Sequence, residues 1–133
     1  MAPRITVVND NPEFLDLVRD ILEDEHYATT TIDGDFEDAL ERVVESRPEL
    51  LILDLRLGTD ELHGWDLAQQ LRREPSLEGL PMIICSADVP ALQALADDLD
   101  DTKKVRTLPK PFAIAELTAA IDGLLAEAGS GIE

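Results

Sequence analysis

The chain is poor in cysteine, in positive charge and in long apolar runs. Its one cysteine, Cys85, has no partner for an internal disulfide, which fits a reducing compartment, and a cytoplasmic location is expected. Eleven Lys and Arg stand against 29 Asp and Glu, a formal net charge of -18. Such a chain repels phosphate backbones, which excludes non-specific binding to nucleic acid and suits basic partners or cations. No apolar run approaches the length of a membrane span, and the N-terminal Met-Ala-Pro-Arg carries no signal-peptide segment. What is present in quantity is apolar side chain: 44% of 133 residues, enough for the core of one ordinary domain.

The chain is organised around Leu50-Leu51-Ile52-Leu53-Asp54. An apolar run without alternation, with Pro48 before it and Gly58 after it, reads as a strand buried on both faces of a parallel sheet. Asp54 falls at its carboxyl edge, where open α/β sheets bind ligands. Alone, such an aspartate reads more readily as a helix or loop cap.

Ile5–Val8 gives a first strand, ending at Asn9-Asp10. Asn11-Pro12-Glu13 then starts a helix, with Asn as N-cap and Pro at the first helical position. Phe14, Leu17, Val18, Ile21 and Leu22 form its core-facing stripe, and Leu15 lies at the stripe's edge, as a flanking core residue or a partner contact. Residues 27–32 read as a second, edge strand, and Phe36, Ala39, Leu40, Val43 and Val44 as a second helix. A third helix carries Trp65, Ala68 and Leu71. Met82–Cys85 is a fourth buried strand closing at Ser86, and a helix follows from about Pro90 to Leu99. Val105–Leu108 is the fifth strand, ending at Pro109-Lys110-Pro111-Phe112, and the last helix presents Ile114, Leu117, Ile121, Leu124 and Leu125.

Alternating strand and helix signals predict a doubly wound α/β fold, with five parallel strands in the flavodoxin-like order 2-1-3-4-5 and five helices. In that order Asn9-Asp10, Asp54, Ser86 and Lys110 share one sheet edge. Two neighbouring carboxylates, Asp10 and Asp54, repel unless a proton or cation lies between them, and Mg²⁺ is a natural occupant because it takes one or two carboxylates and keeps positions open for phosphate oxygens. Lys110 adds a fixed positive charge and Ser86 a hydroxyl. Together these groups suit a phosphoryl acceptor, with Asp54 as nucleophile. Taken singly, Asp10 as a cap, Ser86 as a turn residue and Lys110 as a surface lysine are each the commoner case.

These motifs, in this order along essentially the whole chain, resemble the receiver domains of bacterial two-component response regulators. The resemblance implies a receiver (CheY-like) over residues 4–128 with a flexible tail at 129–133. It implies Asp54 as phosphoacceptor and Asp10 as direct Mg²⁺ ligand. Arg56 would supply a backbone carbonyl to the metal, and Asn9 would reach it through water. Ser86-Ala87 would be the switch pair and Lys110-Pro111-Phe112 the Lys-Pro-Phe signature, with a cis Lys110–Pro111 bond. The implied donor is a histidine kinase or phosphotransfer protein. Signalling would run by protein contact or phosphoryl relay, because no DNA-binding segment follows the last helix. A homodimer through the face of the fourth helix, fifth strand and fifth helix is a further expected partner, and Lys103, Lys104 and Arg106 make a basic spot there. No enzymatic role beyond self-catalysed phosphoryl transfer and hydrolysis is expected.

The sequence departs from the family in three places. Asn9 replaces an acid, which lowers the charge available to Mg²⁺. Thr107 stands where an aromatic switch residue is common. The loop from Asp54 to Gly64 is longer than usual. Arg56 and Asp88 each follow a site residue by two, and a pair between them would shield the phosphoryl group from water. Three rivals are weighed. A haloacid-dehalogenase-type phosphatase needs a second acid where Arg56 stands. A flavin binder needs a phosphate loop after the first strand. A receiver that takes no phosphate would serve as a docking module.

Overall fold

The computed structural model describes residues 3–33, 39–54, 67, 69–71, 73–77, 79–98, 105–110 and 112–130. Its centre is the strand β3, Leu50–Asp54, buried along its whole length. The other strands are β1 (Arg4–Asn9), β2 (Ala28–Asp33), β4 (Met82–Ser86) and β5 (Val105–Pro109). They form one sheet in the order β2-β1-β3-β4-β5, with every neighbouring pair parallel. This is the order expected from the alternation of strand and helix signals. The helices are α1 (Pro12–Asp24), α2 (Ala39–Ser46), α3 (helical at 67 and 69–71), α4 (Val89–Asp98) and α5 (Ile114–Ser130).

Side chains alternate across a strand, so odd and even positions feed two separate cores. Leu50 and Ile52 of β3 pack with Val18 and Leu22 of α1 and Leu117 and Ile121 of α5. Leu51 and Leu53 pack with Val43 of α2, Leu71 of α3 and Leu92 of α4. The same parity sorts the polar ends of the strands. Asn9 follows Val7, Asp54 follows Ile52 and Lys110 follows Leu108, and all of those predecessors belong to the α1/α5 core. Val8 and Leu53 are partners in the β1–β3 register, so Asn9 and Asp54 come next to each other on the same face.

Helix α1 is rotated from its expected setting. Leu15, expected at the edge of the stripe, is 7% exposed, whereas Leu17, expected inside it, is 58% exposed. At 100° per residue the six apolar side chains of α1 span an arc of roughly 160°, wider than the buried face needs. Leu15, Val18 and Leu22 take the core, Phe14 and Ile21 lie partly buried beside it, and Leu17 is left in solvent. Ile114 is also corrected: it is 57% exposed, because it precedes the buried Leu117–Ile121–Leu124 face of α5. The second strand runs one residue later than expected, from Ala28 to Asp33. Phe36 and Trp65 lie outside the described residues.

The N-cap of α1 is as read from the sequence. Asn11 Oδ1 accepts from the N–H groups of Glu13 (3.0 Å) and Phe14 (3.4 Å). The helix ends without glycine: His26 adopts φ 68°, its N–H bonds the Glu23 carbonyl and the Tyr27 N–H bonds the Leu22 carbonyl, both at 3.0 Å. This is a Schellman end in which histidine takes a left-handed position that favours glycine by about 1 kcal/mol.

Candidate functional site

Asp54 is a carboxylate only 7% exposed, at the carboxyl end of the central strand. Removing such a charge from water costs several kcal/mol unless it is paired. The pairing is direct. Lys110 Nζ donates to Asp54 Oδ2 at 2.6 Å, and Asn9 Nδ2 donates to the same oxygen at 2.9 Å. Lys110 is brought there by β5, which ends at Pro109, and its backbone N–H bonds the Ser86 carbonyl at 2.9 Å. Among the described residues, no buried side-chain nitrogen or oxygen lacks a hydrogen-bond partner.

One aromatic ring covers the lysine, and a second ring abuts the first. Lys110 Nζ lies 4.1 Å from the centroid of the Phe14 ring, and Phe14 meets Phe112 edge to face at 6.2 Å. A cation over a ring face gains about 0.5–2 kcal/mol, increasing as water is excluded. Phe14 was expected only in the core stripe. Strand parity puts Lys110 on the α1/α5 face, but the setting of α1 that brings the Phe14 ring over it comes from packing.

Ser86 is buried at the end of β4, and its Oγ accepts from the Asp88 N–H at 3.0 Å. Asp88 in turn caps α4, accepting from the Ala91 N–H at 3.2 Å. Arg56, Pro111, Lys103 and Lys104 lie outside the described residues, as does the loop from 55 to 66. The expectations of an Arg56 carbonyl ligand, an Arg56–Asp88 pair and a cis Lys110–Pro111 bond fall there too. Thr107 is a half-buried residue of β5, paired with Ile84. Cys85 is paired in register with Asp54, and burial pushes its thiol up to about 12.

Asp10 directly follows β1 and is half-buried. Asp10 and Asp54 together offer hard oxygen donors at one rim, a donor set that fits Mg²⁺, which needs only one or two carboxylates. Among the described residues there is no group of three or more His, Cys, Asp or Glu able to hold a metal. Asn9 meets Asp54 directly. Its Oδ1 accepts from the Asn11 N–H at 2.9 Å, and it turns its NH₂ group, a donor, toward Asp54.

Beside this cluster lies an open apolar groove of about 340 Å³, lined by Phe14, Leu17, Ala87, Lys110 and Phe112. The exposed Leu17 is therefore not an isolated surface leucine. It is the outer wall of a groove that has Lys110 in its lining.

Comparison with known proteins identifies the family. The model of the response regulator receiver domain matches residues 5–122. The chain is 36% identical over 132 residues to the phosphate regulon transcriptional regulatory protein PhoB of Rhizobium meliloti (strain 1021), covering 96% of this chain and 54% of that protein. It is 33% identical over 124 residues to the DNA-binding response regulator MtrA of Mycolicibacterium smegmatis, covering 91% of this chain and 50% of that protein. The chain thus spans about half the length of these curated relatives. Among solved structures, chemotaxis protein CheY4 of Vibrio cholerae superposes with a TM-score of 0.79 at 17% identity, covering 93% of this chain and 99% of that one. The receiver domain of sensor histidine kinase PA1611 of Pseudomonas aeruginosa PAO1, which has a magnesium ion coordinated in its active site cleft, gives 0.75 at 24% identity, covering 95% and 99%. The chain belongs to the response regulator receiver domain family, a signalling domain of two-component systems.

Proposed function

We propose that this receiver accepts a phosphoryl group on Asp54 from a phosphohistidine of a kinase or phosphotransfer protein. The observation that carries the reading is the 2.6 Å contact of Lys110 with a nearly buried strand-end carboxylate. An Asp54 oxygen attacks phosphorus in line, the P–N bond breaks as the P–O bond forms, and the imidazole leaves with the electron pair. The product is an acyl phosphate, and water later cleaves it to carboxylate and inorganic phosphate. Lys110 stays beside the acceptor throughout and offsets charge on the transferring oxygens. Asp10 and Asp54, with the carbonyl of Arg56, would hold Mg²⁺, which when bound neutralises phosphoryl oxygens. Ser86 would turn its hydroxyl to the new phosphoryl group and bias α4, β5 and α5 toward a second arrangement.

The test is incubation with Mg²⁺ and a small phosphodonor, followed by intact mass. One phosphoryl group is expected on the native chain and none on Asp54→Asn. An unmodified native chain would leave the docking-module reading in its place.

The groove beside Lys110 is suited to the donor protein. A phosphohistidine-bearing helix must come close to Asp54, and Leu17, Phe14 and Phe112 provide an apolar landing next to the reacting atoms. Leu17→Glu should therefore slow transfer from a phosphorylated donor protein by about tenfold or more, since a charge in an apolar contact costs over 1 kcal/mol. The same variant should react with a small phosphodonor at the native rate. Equal slowing with both donors would remove the groove from the docking surface.

A further inference from the structure

The acid that Asn9 replaces would normally face Asp54 as a like charge. Here the two side chains instead touch, Nδ2 to Oδ2 at 2.9 Å, and both are almost fully buried. Such a contact is possible only because Asn9 is neutral and turns its NH₂ inward. Its orientation is fixed from behind: Oδ1 accepts from the Asn11 N–H at 2.9 Å, and Asn11 is itself the N-cap of α1. The start of α1 thus sets which end of the amide meets the acceptor.

Polarity then decides what Asn9 can do. Water bound to a metal donates its protons and needs an acceptor, as a carboxylate would be. The NH₂ group of Asn9 cannot accept, and its oxygen is turned away to the helix. A water bridge from metal to Asn9 is therefore not available in this arrangement.

We propose that Asn9 is a positioning residue that holds Asp54 in place before metal binds and keeps holding it afterwards. With an acidic pair at this position, the acceptor is surrounded by repulsion until a cation arrives. In this chain Lys110 and Asn9 share Asp54 Oδ2 and fix the carboxylate beforehand. The exchange has a cost in metal affinity, because the site carries one negative charge fewer. The inference rests on Asp54 being the phosphoacceptor, and it specifies how that acceptor is held.

The test uses the full chain as native protein, Asn9→Ala and Asn9→Asp, with thermal unfolding to check folding. Magnesium chloride binding is measured by calorimetry, and phosphorylation by a small phosphodonor is followed by mass at saturating Mg²⁺. Asn9→Asp should bind Mg²⁺ about tenfold more tightly, from the added charge. Asn9→Ala should bind Mg²⁺ like the native chain yet be phosphorylated about tenfold more slowly at saturation, having lost a hydrogen bond to a charged group. A native rate in Asn9→Ala at saturating Mg²⁺ would overturn the positioning role. Unchanged Mg²⁺ affinity in Asn9→Asp would overturn the charge argument. A readout independent of phosphorylation separates this proposal from the one it rests on. In metal-free buffer, the side-chain amide resonances of Asn9, assigned by their loss in Asn9→Ala, should move in Asp54→Ala. If they stay in place the contact is not made, whether or not Asp54 takes phosphate.

Discussion

Lys110→Ala is expected to slow phosphorylation of Asp54 by about 10²–10³, the usual cost of removing one fixed donor from a site where charge develops. The geometry argues for the upper part of that range. Lys110 Nζ is held from two sides, by Asp54 Oδ2 at 2.6 Å and by the Phe14 ring at 4.1 Å, so little reorganisation is needed as the phosphoryl group arrives. Asn9 cannot take its place, since an amide carries no net charge. Lys110→Arg should rescue poorly. A planar guanidinium is larger than an ammonium and cannot sit at the same distance from the ring while pointing one nitrogen at Oδ2. The measurement is the initial rate by intact mass with a small phosphodonor, at several Mg²⁺ concentrations. A rate within threefold of native in Lys110→Ala would mean that the short contact is structural and contributes nothing to transfer.

The largest expected effect on stability comes from the strand beneath the site. Ile52 is 1% exposed in the middle of β3 and packs in the core shared with α1 and α5. Ile52→Ala should destabilise by about 2–5 kcal/mol, the lost transfer energy plus that of the cavity left behind. Total stabilities of such domains are about 5–15 kcal/mol, so this one change removes a large share. Urea unfolding should show a lower midpoint at an unchanged slope. Leu17→Ala is the matched control. Its side chain lies mostly in water, so the change should stay within about 0.5 kcal/mol. A comparable loss at both positions would contradict the orientation of α1.

Those two leucine and isoleucine positions also mark where the sequence stops being legible. Strands buried on both faces declare themselves, since Leu50–Leu53 and Met82–Cys85 leave no other use for so much unbroken apolar surface. For five alternating strands the flavodoxin-like order is the natural choice, and it places Asn9, Asp54, Ser86 and Lys110 along one edge before any coordinates are known. Helix rotation is harder. Phe14, Val18, Ile21 and Leu22 fit a stripe completed by either Leu15 or Leu17, and only packing against β1 and α5 chooses Leu15. The hydrogen-bond polarity of Asn9 was also hidden. Which end of an amide faces a carboxylate depends on a backbone N–H two residues on, and residue type alone does not say. Strand parity does hold that information, because it puts Asn9 and Asp54 side by side. The lysine under a phenylalanine ring needed both parity and the setting of α1, and neither is a motif.

The lone thiol has a practical consequence. Cys85 sits across from Asp54 in the adjacent strand, shut inside the sheet, with a thiol pushed up to about 12 by burial. In the folded chain it is chemically silent, since alkylating reagents attack the thiolate. A reagent reaches it only in molecules whose middle strands have parted, so its modification counts opening events at the very heart of the domain and needs no label added to the protein.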